Sequence, residues 1–171
     1  MDNQIYGLTK GQTSPRSAAG FITKSTPGGA IDPSLKPLEV AMTSGATFVA
    51  QGFSTDIKEL TAMIEAGLNH KGFSFINVFS PCVTYNKVNT YEWFKENLTK
   101  LADIEGYDNS NRAQAMQTVM EHEGLVTGII YQDTETASYQ EKIKGYSELP
   151  LTDIDISLSE AQFEKLVKEF M

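Results

Sequence analysis

The sequence predicts an α/β fold built on a parallel sheet, and three observations carry that expectation. Thr47 to Ala50 is a short apolar segment. An amphipathic stretch follows, with Ile57, Leu60, Ile64 and Leu68 on one face. Phe73 to Ser80 is then strongly apolar on both alternations, which suggests a strand buried on both faces. Strand, helix and strand at this spacing make a βαβ unit, and such a unit joins two parallel strands by a right-handed crossover.

The elements follow in order. Residues 1–33 are rich in Gly, Ser, Thr and Pro and read as a long loop, a kind that is usually functional or disordered. Asp32 can cap a helix whose first turn holds Pro33, with Leu35, Leu38, Ala41 and Met42 inward and Gly45 at its end. Asp56 and Glu59 stand three apart, as in a capping box, and Gly72 stops the helix they begin. Thr90 to Leu101 reads as a helix with Trp93, Phe94 and Leu98 inward. Ser110 to Glu123 reads as another, with Ala113, Met116, Val119 and Met120 on one side. Leu125 to Tyr131 reads as a strand, and Asp133 to Pro150 as polar and turn-rich. Ser157 and Glu160 form a capping box before a short amphipathic helix carrying Phe163, Leu166, Val167 and Phe170.

Composition narrows the function. A chain of 171 residues with 40% hydrophobic and 21% charged residues suits one globular domain. The net charge of −8 repels phosphate backbones and argues against nucleic acid as the main partner. It does not argue against a diphosphate held locally by backbone amides and a metal ion. From Asp133 onward, nine acidic side chains face four lysines, a pattern expected of a solvated face. No apolar run approaches the ~20 residues of a membrane helix, so no membrane partner is expected. The start of the chain shows no signal peptide, and a single cysteine allows no internal disulfide.

In open parallel sheets, ligands bind beyond the carboxyl ends of strands. Two segments qualify. Asn3 to Gln12 has parts suited to a diphosphate and a hard cation: a carboxamide and a backbone carbonyl two residues on as oxygen ligands, Gly7 and Gly11 for close approach, the Thr9 hydroxyl, and the Lys10 charge. An ordinary polar turn is the alternative reading. Ser80-Pro81-Cys82 follows the buried strand, where Cys82 is either a small buried hydrophobe or a metal ligand at the sheet edge. His70 and His122 fall near helix C-termini, where the helix dipole explains them.

The run Asp2-Asn3-Gln4-Ile5-Tyr6-Gly7-Leu8-Thr9-Lys10-Gly11-Gln12-Thr13-Ser14-Pro15 closely resembles the β subunit of 2-oxoacid:ferredoxin oxidoreductases. Ser80-Pro81-Cys82-Val83-Thr84-Tyr85-Asn86 and Asn89-Thr90-Tyr91-Glu92-Trp93 resemble later motifs of that subunit. The resemblance implies a thiamine diphosphate-binding fold of the parallel-sheet α/β type, represented by its C-terminal portion. Residues 1–131 would be part of that domain, and residues 132–171 a polar tail ending in an amphipathic helix.

It also implies oxidative decarboxylation of a 2-oxoacid to an acyl-CoA, with electrons passing through a [4Fe–4S] cluster to ferredoxin. By position, Asn3 matches the side-chain ligand of the Mg²⁺ on the cofactor diphosphate, and Ile5 its backbone-carbonyl ligand. Tyr6, Gly7, Leu8 and Thr9 match cofactor contacts. Lys10 matches the contact to the substrate carboxylate, in a Lys-Gly-Gln form closer to 2-oxoglutarate enzymes. Cys82 matches the cluster's fourth cysteine. The implied partners are the α subunit, which brings the base at the aminopyrimidine, together with ferredoxin, coenzyme A and the 2-oxoacid. The implied location is the cytoplasm. The family's Gly-Asp-Gly, with the other Mg²⁺ ligand, and its three upstream cysteines have no counterpart in this sequence. A fragment that keeps only a subunit-interaction surface is therefore the alternative reading.

Overall fold

The computed structural model describes residues 1–170. The chain forms two compact units, Met1–Ser138 and Tyr139–Met171. In the first, β1 (Ile5–Tyr6) and β2 (Gln12–Thr13) form a small antiparallel ribbon. Then come α1 (Pro37–Thr43), β3 (Phe48–Phe53), α2 (Ile57–Asn69), β4 (Ser74–Phe79), α3 (Tyr91–Asn97), β5 (Thr99–Lys100), α4 (Arg112–Glu121) and β6 (Val126–Gln132). The second unit holds α5 (Tyr139–Lys142) and α6 (Glu160–Glu169).

The main sheet has strand order β4-β3-β6-β5. The expected βαβ unit is present: β3 and β4 pair in parallel from Phe48↔Ser74 to Phe53↔Phe79, joined by α2. β6 departs from an all-parallel sheet. It runs antiparallel to β3, with an irregularity between Val49 and Ala50. At the other edge, Asp2 makes a parallel bridge to Phe79. The Asp2 amide donates to the Val78 carbonyl at 2.7 Å, and the Ser80 amide donates to the Asp2 carbonyl at 2.9 Å. The start of the chain thus runs alongside β4 in the same direction.

Every residue of the central strand β3 is buried, as its apolar sequence requires. Phe48 and Ala50 pack with Met63 of α2 on one face. Val49 joins Leu38 and Met42 of α1, Val119 of α4 and Ile130 of β6 in a second cluster. The third closes the carboxyl ends of the parallel pair: Phe53 and Phe79 meet Phe94 of α3, whose ring lies 4.6 Å from that of Phe79.

Several sequence expectations shift in place. The first helix starts at Pro37, not Pro33, because Pro37 also fits a first turn. Asp56 precedes α2 but makes no side-chain cap. It and Glu59 instead bind the Lys100 ammonium, at 3.0 and 2.5 Å. The expected strand Thr47 to Ala50 runs on to Phe53. The helix expected to reach Leu101 ends at Asn97, and Thr90 caps it by accepting from the Trp93 amide. The fourth helix buries Ala115, Thr118 and Val119, while Ala113 and Met120 are exposed. In the second unit, the capping box is Ser159 with Gln162, not Ser157 with Glu160. Phe163, Leu166, Val167 and Phe170 of α6 are all exposed. No helix among the described residues is long and apolar enough to cross a membrane.

One packing contact has a pH signature. The Tyr107 hydroxyl donates to the Ile130 carbonyl at 2.5 Å, and burial pushes its pKa from 10.0 up to about 12. Between those values, the unfolded chain loses this proton and the folded chain keeps it, so stability falls as pH rises. Denaturant midpoints should decline over pH 10 to 12, and Tyr107→Phe should flatten that part of the decline.

Candidate functional site

The site lies at the carboxyl ends of the parallel strands, where two loops meet. The first loop leaves the Asp2 bridge and carries Asn3 through Gly11. The second leaves β4 at Phe79 and carries Ser80 through Asn89. Gly7 is where they touch. A Cβ at Gly7 would stand 3.0 Å from Cys82 Sγ and 3.7 Å from Asn3 Nδ2. Only a residue without a side chain lets the loop backbone lie so close to the thiol. Asn3, Gly7 and Cys82 are therefore brought together from the two motifs.

Asn86 fastens the contact. Its side chain is 1% exposed, donates to the Asn3 carbonyl at 3.2 Å, and accepts from the amides of Val88 and Asn89. The Asn3 carboxamide itself makes no hydrogen bond among the described residues, so its oxygen is free to accept a ligand. Ile5 is buried in β1 and anchors the loop by its side chain. Tyr6 is half exposed and Leu8 fully exposed at the tip. The Thr9 hydroxyl donates to the Tyr6 carbonyl at 3.4 Å.

The loop is conformationally strained. Gln4 and Lys10 both have positive φ, 60° and 73°. Non-glycine residues in this region cost about 1–3 kcal/mol each and persist where the surroundings hold them, often at ligand sites. At Gln4 the hold is visible: its amide donates to Asp2 Oδ1 at 3.0 Å, and its carbonyl accepts from the hydroxyls of Ser14 and Ser17.

Lys10 borders a cleft of about 620 Å³ lined also by Lys24, Lys87, Phe21, Thr84 and Tyr85. Among the described residues, three lysines and no acid line this cleft, in a chain whose net charge is −8. The cleft suits an anion of modest size. Cys82 is half-buried and unpaired. No group of three His, Cys, Asp or Glu among the described residues could hold a metal. The chain thus presents single donors, Asn3 and Cys82, of the kinds a hard cation and an iron–sulfur cluster use. A complete site for either group needs donors beyond these.

The histidines follow the helix-terminus expectation. His70 and His122 occupy the C-cap positions of α2 and α4. The His70 ring lies 2.9 Å from the Thr47 hydroxyl, and burial pushes its pKa down. The sequence reading missed Asp2, Gln51 and Asn77, a buried polar set behind the loop, and the partly buried Arg16 paired with Asp2. The only signal available was that Gln51 and Asn77 interrupt otherwise apolar strands.

Comparison with known proteins bears on the family of the chain. Residues 1–78 match the family model of the thiamine pyrophosphate enzyme C-terminal TPP-binding domain. Residues 82–148 match the family model for the C-terminal part of the pyruvate ferredoxin oxidoreductase β subunit. A 2-oxoacid:ferredoxin oxidoreductase β subunit from Sulfolobus is 38% identical over 85% of this chain and 51% of its own length. The 2-oxoglutarate oxidoreductase subunit KorB of Mycobacterium tuberculosis is 40% identical over 50% of this chain and 23% of its own. The solved 2-oxoglutarate:ferredoxin oxidoreductase from Magnetococcus marinus, with 2-oxoglutarate, coenzyme A and succinyl-CoA bound, superposes with a TM-score of 0.73. It is 34% identical, over 79% of this chain and 46% of that one. The chain spans about half the length of the Sulfolobus relative and of a second β subunit, from Saccharolobus solfataricus. It carries the C-terminal part of a 2-oxoacid:ferredoxin oxidoreductase β subunit and belongs to that family.

Proposed function

We propose that this chain works as part of the thiamine diphosphate-binding β subunit of an oxidoreductase that converts 2-oxoglutarate to its acyl-CoA and passes electrons to ferredoxin. The observation that carries the reading is the meeting of Asn3, Gly7 and Cys82, which sets a hard-cation ligand and a thiol on one loop contact. Thiamine diphosphate supplies the carbanion-stabilising chemistry of decarboxylation, and a [4Fe–4S] cluster takes up electrons. This chain's residues do the holding. The Asn3 carboxamide oxygen and the Ile5 carbonyl ligate Mg²⁺ on the diphosphate. Tyr6, Gly7, Leu8 and Thr9 line the cofactor, and the Cys82 thiolate is one cluster ligand. Lys10 pairs with a carboxylate of the substrate, and the acid-free cleft beside it favours a dianion over pyruvate. The α subunit brings the base at the aminopyrimidine, and coenzyme A and ferredoxin meet the assembled enzyme in the cytoplasm.

The reading is tested on the full-length β subunit assembled with its α partner. Titration calorimetry should show thiamine diphosphate binding that requires Mg²⁺ and is weakened by Asn3→Ala, because the cation loses an oxygen ligand. Unchanged affinity in the variant would remove Asn3 from the metal site. The substrate assignment has its own test. Lys10→Met should lower kcat/KM for 2-oxoglutarate about tenfold to a hundredfold, as expected for a lost charge-assisted hydrogen bond. Equal kinetics across 2-oxoacids would place Lys10 outside the substrate site.

A further inference from the structure

We infer that Asp2 is the positioning residue of the metal loop: its buried carboxylate holds Gln4 in the strained conformation that aims Asn3 and the Ile5 carbonyl. This rests on the metal reading above and adds a residue that touches neither cofactor nor substrate.

The carboxylate is divided between two tasks. Oδ1 accepts from the Gln4 amide at 3.0 Å, directly across Asn3. Oδ2 accepts from Arg16 Nε at 2.7 Å, with Asn77 Nδ2 at 3.4 Å. Asp2 is 5% exposed, so its charge is neutralised by Arg16 and not by water. Arg16 is itself fixed, since its guanidinium donates to the Ser34 hydroxyl and the Leu35 carbonyl.

Behind Asp2 the polar contacts continue into the sheet. Asn77 Nδ2 donates to Gln51 Oε1 at 2.8 Å, and Gln51 Nε2 donates to the carbonyls of Gly124 and Val126, each at 2.7 Å. Gln51 and Asn77 are both buried. No buried side-chain polar atom among the described residues lacks a partner. A fully satisfied network of this kind fixes its members in place. The network ties β3, β4 and the start of β6 to one carboxylate oxygen, and the other oxygen grips the residue between the two metal ligands. Without Asp2, Gln4 would be held only through its carbonyl by the Ser14 and Ser17 hydroxyls, and its freed amide would let it relax out of positive φ and turn Asn3 away from Ile5. Partners that orient metal ligands without touching the metal commonly change affinity by about ten- to a hundredfold.

The test uses the full-length β subunit assembled with its α partner, with Mg²⁺–thiamine diphosphate affinity read by calorimetry. Asp2→Ala, which leaves no acceptor for the Gln4 amide, should weaken that affinity at least about tenfold. Adding Gln4→Gly should restore most of the loss, because glycine adopts positive φ without a holding contact. Gln4→Val with Asp2 intact should weaken binding, since a β-branched residue resists that conformation. Wild-type affinity in Asp2→Ala, or a loss that Gln4→Gly does not relieve, overturns the inference. Should Asp2→Ala fail to assemble, equal affinities for Gln4→Val and Gln4→Gly overturn it instead. Asn3→Ala separates the two claims. If it binds as well as wild type, the metal reading falls. If it binds weakly while Asp2→Ala binds normally, only the role of Asp2 falls.

Discussion

Cys82→Ser in the full-length, assembled subunit should lose its iron–sulfur absorption and most of its iron while keeping thiamine diphosphate affinity. A hydroxyl is a poor replacement for thiolate on iron, because hard oxygen donors suit Mg²⁺ better than a cluster. The two effects should separate because the proposed cofactor contacts, Tyr6 through Thr9, lie on the other loop. The geometry limits the structural damage. Cys82 is only half-buried, and serine in place of cysteine relieves the contact at Gly7 without tightening it. The preparation is anaerobic, and iron content, visible spectrum and cofactor titration are measured on the same sample. A variant with full iron and normal electron transfer would make Cys82 a packing residue.

The second large effect is on stability. Phe94→Ala should cost about 3–5 kcal/mol, the range for removing a fully buried aromatic ring. Phe94 is 0% exposed, and its ring packs against Phe79 at 4.6 Å, Phe53 at 5.6 Å and, edge-on, Trp93 at 5.1 Å. This cluster closes the carboxyl ends of β3 and β4, directly beneath the loop that begins at Ser80. The loss should therefore appear in urea midpoints and also as weaker retention of the cluster. Phe94→Leu, which keeps much of the volume, should cost less. A loss below about 1 kcal/mol for the alanine variant would mean that the site collapses around the missing ring.

The parts of the fold that could be read from the sequence are those set by local pattern. The order β3-α2-β4 follows from the apolar segments and their spacing, although α2 buries Met63 and Gly67 while Ile57, Ile64 and Leu68 of its expected inner face are exposed. What could not be read depends on distant partners. An apolar run such as Val126–Gln132 carries no mark of direction, so the antiparallel pairing of β6 was not visible. Asp56 and Glu59 have the spacing of a capping box, yet a lysine 41 residues beyond Glu59 takes both. Ser157 and Ser159 each begin a capping pattern, and the amide of Ser157 is instead turned toward Asp155 at 2.9 Å.

The site divides the same way. Asn3, Gly7, Lys10 and Cys82 could be named from motif resemblance, since each sits in a contiguous run. Asp2 and Arg16 are 14 residues apart, and Asn77 stands 75 from Asp2. Such pairs leave no local trace, and a buried carboxylate beside a loop looks in sequence like any surface aspartate.

The central claim is that the cofactor loop and the thiol loop form one site, and Gly7→Ala tests it most directly. The added Cβ would meet Cys82 Sγ at 3.0 Å, tighter than ordinary contact, so one loop must shift against the other. In the assembled full-length subunit, the account predicts that this single methyl weakens Mg²⁺–thiamine diphosphate binding and, in the same preparation, alters the visible spectrum of the cluster. A variant that changes neither, or that changes the cofactor while leaving the cluster spectrum untouched, would contradict it.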